Sequence, residues 1–395
     1  MRSGLRVSAA LAAGALIAAV VPIASPAAAV TRRAAAARPP AWRVVRVPSS
    51  VVLPADLADV SASGPANAWA VGADAETGFQ KGAPLILHWN GRAWSKVALP
   101  GVRRPGFLGS VSAGSRSDAW ALGTDRSGAV LLHWNGRRWR TVGFPGERTA
   151  TMMSVAAAPG GRAWMVGWRN ETSGATAILV ELWNGTAWHI VPTRLGRGML
   201  SKVRVSANGD VWAVGFDADF FTLIAHEHRG AWTSFKRPPE PTGLNDVLGK
   251  SAHDVWTVGI ILNQREYVPT ISHWDGRAWT TVLVPDPTKF ITQDLSISPD
   301  GSGRPQWVGA EAGLPHPSAT LYAYYNGTAW VGVRGATALS AVFDASTVTA
   351  HIPGTNATWG VGGSVRMRPQ GGIAPVRAII EFNPGPPEAR PRGTL

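Results

Sequence analysis

The chain has 395 residues, with 38 Lys and Arg against 25 Asp and Glu, a formal charge of +13, 19 tryptophans and no cysteine. The missing cysteine excludes a disulfide framework, a thiolate zinc site and a thiol nucleophile. So basic a surface favours anionic partners: acidic glycans, wall polymers, phospholipid headgroups or nucleic acid.

At the start of the chain, Arg2 and Arg6 precede an apolar run from Val7 to Ile23 and then Ala27-Ala28-Ala29. That charge, core and small-residue layout predicts a secretory signal peptide over residues 1–29. The run contains Pro22 and is short for a membrane span, which leaves an uncleaved anchor as the alternative to a cleaved signal, and no later segment is long and apolar enough to cross. The expectation is a secreted, extracellular protein with no membrane span after cleavage. Residues 30–41 carry no core-forming pattern and read as a flexible linker. The Ala, Gly, Arg and Pro bias fits a GC-rich genome, with an actinobacterial source the best match.

From residue 42 to 383 a two-part pattern recurs. Its first element is Asn67-Ala-Trp-Ala-Val-Gly72, then Asp118-Ala-Trp-Ala-Leu-Gly123, and so on at Trp164, Trp212, Trp256, Trp307 and Trp359. Its second is His88-Trp-Asn-Gly-Arg-Ala-Trp94, repeated with variation up to Tyr324-Tyr-Asn-Gly-Thr-Ala-Trp330. Successive first-element tryptophans are 44 to 52 residues apart, the period of propeller blades. In the second repeat, Leu108–Ala113 reads as an innermost strand and Asp118–Gly123 as the next. Alternation puts Trp120 and Leu122 on one face and Ala119 and Ala121 on the other, so that neighbouring blades interdigitate. Gly123 is expected to end its strand at a crowded turn. Ala129–Trp134 is the third strand, Asn135-Gly136 a tight hairpin turn, and Arg137–Val142 the outermost strand.

The seventh repeat stops short. After Ala378-Ile-Ile-Glu-Phe-Asn383 comes Pro384-Gly-Pro-Pro instead of an Asn-Gly turn and a final strand. Ala41-Trp-Arg-Val-Val-Arg-Val-Pro48 matches the missing outer strand, as in Ala93-Trp-Ser-Lys-Val-Ala-Leu-Pro100. The predicted fold is therefore all-β: a seven-bladed β-propeller of four-stranded antiparallel blades, closed by an N-terminal strand that completes the last blade. Residues 384–395 read as a disordered Pro-rich tail.

The apolar-apolar-Gly element followed by aromatic-Asn-Gly-x-x-Trp and a closing Pro resembles kelch-type propellers of the galactose-oxidase-like group. The wording of Asp210-Val-Trp-Ala-Val-Gly215 and His88-Trp-Asn-Gly is also similar to tectonin repeats of lectin-like propellers. The resemblance implies a propeller and, from its lectin-like members, carbohydrate binding. Kelch repeats usually carry a double glycine, found here only at Gly362-Gly363, and galactose oxidase needs a Tyr–Cys crosslink that this chain cannot form. That activity is not implied.

In such a ring, the loops between second and third strands and between blades open on one face and vary most, which is where binding residues concentrate. The basic residues of those connections include Arg103, Arg104, Arg148, Arg194, Arg197, Lys236 and Arg237, and the arginine forks among them match carboxylate, sulfate and phosphate. Trp168, the tryptophan outside the repeat register, joins Phe220, Phe221 and Tyr267 as a stacking candidate on that face. Asp217 and Asp219 offer calcium too few oxygens. His88, His133, His226 and His273 share one register, with Leu182, Tyr324 and Glu381 at the equivalent points. Residues in separate blades cannot converge on one ion, so a structural role is expected, with no metal and no cofactor. No catalytic motif is present, although loop carboxylates such as Glu76, Glu171, Glu266 and Glu311 leave room for a hydrolase or lyase.

The expected function is non-catalytic binding of an extracellular polysaccharide or cell-wall polymer, acidic in character, by a monomer. Nucleic acid is the less favoured anion for a secreted chain. The alternatives are a carbohydrate-active hydrolase or lyase on the variable-loop face, and a protein-interaction scaffold.

Overall fold

The computed structural model describes residues 39–77, 82–172, 174–239, 243–263, 266–285, 295–310, 319–338, 342–366 and 375–386. The expected signal peptide, most of the linker and the end of the tail lie outside the described residues.

Seven four-stranded antiparallel meanders follow one another along the chain. Blade 1 consists of Ala55–Gly64, Asn67–Asp74, Ala83–Trp89 and Trp94–Lys96, and blade 2 of Phe107–Ser115, Asp118–Asp125, Gly128–Trp134 and Trp139–Thr141. The first strands of blades 3 to 7 begin at Ala150, Gly198, Gly243, Ser296 and Val342. These first strands pack against one another around the axis and form the inner wall of a closed ring. Blade 7 receives its outer strand from the start of the ring. Arg43 stands opposite Phe382 and Val44 opposite Glu381, and the Val45 amide donates to the Ile380 carbonyl at 2.8 Å.

Alternation builds the core between blades as expected. Trp120 and Leu122 pack with Met152, Val155 and Met165 of blade 3. Ala119 and Ala121, on the opposite face, lie in the cluster with Trp69, Val71 and Ile86 of blade 1. A fully buried tryptophan removes roughly 150–250 Å² from water, on the order of 5 kcal/mol each. Small residues on the receiving face, Ala119 and Ala121, let the Trp69 indole in.

Gly123 has a different role from the one expected. It lies within its strand, and a methyl group there would overlap the Phe107 carbonyl. The inner strand bulges between Leu108 and Ser110 and presses its backbone against the second strand at this point. The same close approach occurs at the corresponding glycine of blade 1, Gly72, opposite the bulge between Leu57 and Asp59. The glycine answers a bulge, not a turn.

Several inner-strand amides find their acceptor in the neighbouring blade, whereas in blade 1 the Val60 amide turns to its own neighbour, Asp59 Oδ1, at 3.0 Å. Val111 N donates to Asp59 Oδ2 (3.0 Å), Val155 N to Ser110 Oγ (3.2 Å), Val203 N to Ser154 Oγ (3.2 Å) and Ile297 N to Asp246 Oδ2 (3.1 Å). Buried amides need acceptors, so this row of side chains stitches blade to blade around the channel. Blade 4 breaks the row, because Lys202 is a donor only; the Val247 amide falls back on its own neighbour Asp246 at 2.9 Å.

Candidate binding site

Three regions gather polar or aromatic side chains. The first is the channel, where a cavity of about 270 Å³ is lined by Asp56, Lys202, Asn245, Asp246 and Ser296 among others. Lys202 Nζ reaches across from blade 4 to Asp59 Oδ2 of blade 1 at 3.5 Å. Arg204 grips Asp246 in a fork, Nε to Oδ1 at 2.9 Å and Nη2 to Oδ2 at 2.5 Å. Burial opposes charge on both partners, yet Arg204 and Lys202 hold the Asp246 carboxyl below its ordinary range. Burial likewise works against the guanidinium, but Asp246 and Asp59 raise its pKa. The cations here are consumed by acids within the wall, which leaves the channel poorly suited to an anion.

The second region is the variable-loop face. Arg103, Arg104, Arg148, Arg194, Arg197, Lys236 and Arg237 are all exposed there or on its connections, but they are spread over several blades and the structure joins few of them. Arg103 is held at the loop of Asp125 and Ser127, and Arg197 pairs with Glu171 at 2.9 Å. Lys236 lies over the Trp274 ring at 4.8 Å. Phe221 and Arg237 do meet, with the guanidinium 4.7 Å above the ring and Asp217 3.5 Å away. Phe220 beside them is 71% exposed. Trp168 is a half-buried strand residue between Thr151 and Ile178. Tyr267 pairs with Leu262 in the strand ladder; its side chain lies outside the described residues. Asp217 spends one carboxylate oxygen on the amides of Asp219 and Phe221.

The third region was not legible as a site in the sequence. Where the clasp strand of blade 7 faces blade 1, the outer ends of the two blades diverge and leave a groove of about 960 Å³. Arg43, Arg46, Arg92 and Lys96 line it together with Trp89 and Trp94. Lys96 is neutralised by the buried Asp74 at 2.5 Å, and Arg43 lies over Phe382 at 4.3 Å. Arg46 and Arg92 are exposed. Trp89 is half-buried and fixed by a hydrogen bond from Nε1 to the Pro65 carbonyl at 3.0 Å, so its indole is held at a set angle in the groove wall. A smaller groove of about 390 Å³ between blades 5 and 6 is apolar in character, flanked by Val282 and Leu283, 49% and 63% exposed.

The register histidines act within their own blades. His88, His133, His226 and His273 stack on Trp69, Trp120, Trp212 and Trp256 with centroids 3.8 to 4.2 Å apart. In three blades Nε2 also meets the side chain that opens the second strand: Asn67 at 2.9 Å, Asp118 at 2.8 Å and Asp254 at 3.0 Å. Leu182 and Tyr324 occupy the same register opposite Trp164 and Trp307, but opposite Trp359 stands Phe382 rather than Glu381. Glu381 points to the other face, where its buried carboxylate accepts from Thr320 and Tyr322.

No protein-family model matches this sequence, and no curated protein aligns with it significantly. Solved structures do. YCF48 bound to a D1 peptide aligns over 87% of this chain and 97% of its own, at 15% identity and a TM-score of 0.53. A puromycin-hydrolysing peptidase of Mycobacterium tuberculosis aligns over 85% of this chain and 56% of its own, at 11% identity and a TM-score of 0.52. The fucose-specific lectin of Aleuria aurantia aligns over 70% and 94%, at 11% identity and a TM-score of 0.48. At these identities the likeness is one of fold: the chain is a seven-bladed β-propeller whose structural neighbours include YCF48 and fucose-binding lectins.

Proposed function

We propose that this propeller is an exported, non-catalytic binding protein for an acidic polysaccharide of the cell wall or extracellular matrix, and that the polymer lies in the groove between blades 7 and 1. The observation that carries this reading is the pairing of a fixed indole, Trp89, with the exposed guanidinium groups of Arg46 and Arg92 in one open groove. A flat ring packs on the apolar face of a sugar, and a guanidinium fork fits a carboxylate or sulfate. The charge of +13 supports an anionic ligand, and the N-terminal charge and hydropathy pattern supports export.

The test is a salt titration of binding to polygalacturonate, with neutral dextran as control. Binding should weaken steeply as salt rises, since exposed charges are screened over about 8–10 Å near physiological ionic strength. The double charge reversal Arg46→Glu/Arg92→Glu should abolish it, whereas Arg103→Glu/Arg104→Glu should leave it nearly intact. If the second pair matters and the first does not, the ligand sits on the variable-loop face. Binding that ignores salt and both pairs defeats the acidic-ligand reading. The apolar groove between blades 5 and 6 favours a second reading, a protein-interaction scaffold, in which Val282→Asp removes partner binding and salt has little effect.

A further inference from the structure

Blade 4 departs from the repeat at one hairpin. In blades 1, 2 and 5 the hairpin opens with Asn90, Asn135 or Asp275, whose side-chain oxygen accepts the amides two and three residues on. Blade 4 has His228 at this position. The turn tightens onto Arg229 and Gly230, both left-handed with φ of 55° and 87°, and His228 pairs directly with Ala231. Glu227 takes over the capping by accepting the Gly230 amide at 2.6 Å. The imidazole of His228 is thereby released from the turn and faces the opening of the second strand.

There it meets two groups that the repeat already placed. His228 Nδ1 is 3.1 Å from Asp210 Oδ1, and His226 Nε2 is 3.6 Å from Asp210 Oδ2. Asn208 Nδ2 orients the carboxylate through Oδ2 at 3.0 Å. His226 is 7% exposed and lies flat on Trp212, ring centroids 3.9 Å apart and planes 9° apart. Its Nε2 has no hydrogen-bond partner, in contrast to the register histidines of blades 1, 2 and 5. A buried ring nitrogen without a partner is costly, and this one is aimed at a carboxylate and a second imidazole.

We propose that Asp210, His226 and His228 form a divalent transition-metal site that takes Zn2+. Their donor atoms all lie within 4.8 Å of one another. A tetrahedral zinc with bonds of about 2.0–2.1 Å separates its ligand atoms by about 3.3 Å. The carboxylate–imidazole approaches, 3.1 Å from His228 to Oδ1 and 3.6 Å from His226 to Oδ2, lie close to that value, so a small rotation of the carboxylate brings one oxygen to the metal. Two imidazoles and one carboxylate are the borderline donors that suit zinc, and three protein donors of this kind do not make a calcium or magnesium site. The His228 side chain is 53% exposed, so the fourth position opens to solvent and takes water or a ligand group. This arrangement needs only one blade, so the separation of the register histidines around the ring does not oppose it.

The proposal is tested by calorimetric titration of the tag-free full chain with zinc chloride in a non-chelating buffer. The expected result is one saturable zinc per chain. His228→Asn, which restores the residue of the other hairpins, should weaken binding by about 100-fold or more. His133→Gln in blade 2 should leave zinc binding unchanged. A second variant, His228→Ala, covers the case in which the asparagine disturbs the tightened turn, and circular dichroism shows whether each variant is folded. The absence of saturable binding by the wild type overturns the proposal. So does wild-type affinity in either folded His228 variant.

Discussion

Trp42 lies flat against Tyr322, with ring centroids 3.9 Å and planes 13° apart, and meets Trp307 edge-on at 5.0 Å. Only Arg43 and Val44 form the paired strand beside it, so the clasp strand relies on this one buried indole as well as on its short ladder. Trp42→Ala should cost about 3–5 kcal/mol of unfolding free energy in a urea titration. A loss below about 1 kcal/mol would mean that the clasp strand is held without its indole. Removing residues 30–48 should go further, exposing the edge of Arg377–Asn383 and producing aggregation in light scattering.

Tyr322 has a second role that can be separated from stacking. Its hydroxyl donates to Glu381 Oε2 at 2.7 Å, alongside the Thr320 hydroxyl at 2.8 Å. Tyr322→Phe keeps the ring under Trp42 and removes one donor from a buried carboxylate. The expected destabilisation is about 1–3 kcal/mol. A neutral result would show that Glu381 is satisfied without it.

Arg204 and Asp246 should dominate the acid sensitivity of the inner wall. Burial pushes the Asp246 carboxyl upward, but Arg204 overcomes this and holds it below 3.8. A depressed carboxylate contributes stability above its unfolded pKa and loses it as pH falls through the folded value. Arg204→Met should destabilise the ring by about 3–5 kcal/mol at neutral pH by stranding a buried carboxylate. It should also flatten the acid limb of the stability profile. An unchanged limb would assign acid sensitivity to other carboxylates.

Glu181 should act in the opposite sense. It is fully buried between the Gly146 amide, 2.7 Å from Oε1, and apolar neighbours, with no partner for Oε2. Burial pushes its pKa up to about 7, against the smaller opposing effect of the Gly146 bond. With the folded value above the unfolded one, stability is fully present below about 4.5 and declines as pH rises toward 7. Glu181→Gln keeps an acceptor for Gly146 and removes the ionisation. It should stabilise the protein at pH 8 by on the order of 3 kcal/mol and change little at pH 4. Equal melting temperatures of wild type and variant at pH 8 would count against this.

The ring was readable in the sequence because its tryptophans and glycines mark packing events that recur once per blade. Trp69 must enter a neighbour lined by Ala119 and Ala121, and Asn135-Gly136 must turn a hairpin; both demands are local and periodic. The inner bulge leaves no residue signature of its own, so the glycine opposite it reads as a strand end. Blade 7 lacks the Asn-Gly landmark that fixes register elsewhere, so the sequence alone places Glu381 one residue early, where Phe382 stands. The groove was illegible for another reason. Arg46 and Arg92 come to line one groove only when the ring closes, and nothing in their local sequence says so. His228 was visible as a departure from the repeat, but comparing one position around the ring hid what two positions in one blade can do.

The clasp also sets a timetable for synthesis. Trp42 leaves the ribosome long before Trp307 and Tyr322, and Arg43 before Phe382, its strand partner. At about 5–20 residues per second, the stretch from Trp42 to Tyr322 takes roughly 15–55 s to make. Throughout that interval the opening segment has no indole pocket to enter, and the growing arc of blades presents an unfilled edge at each end. A circular permutant cut at the Asn135-Gly136 hairpin would move that wait to blade 2 and let the Trp42–Tyr322 contact form as soon as its own two blades exist.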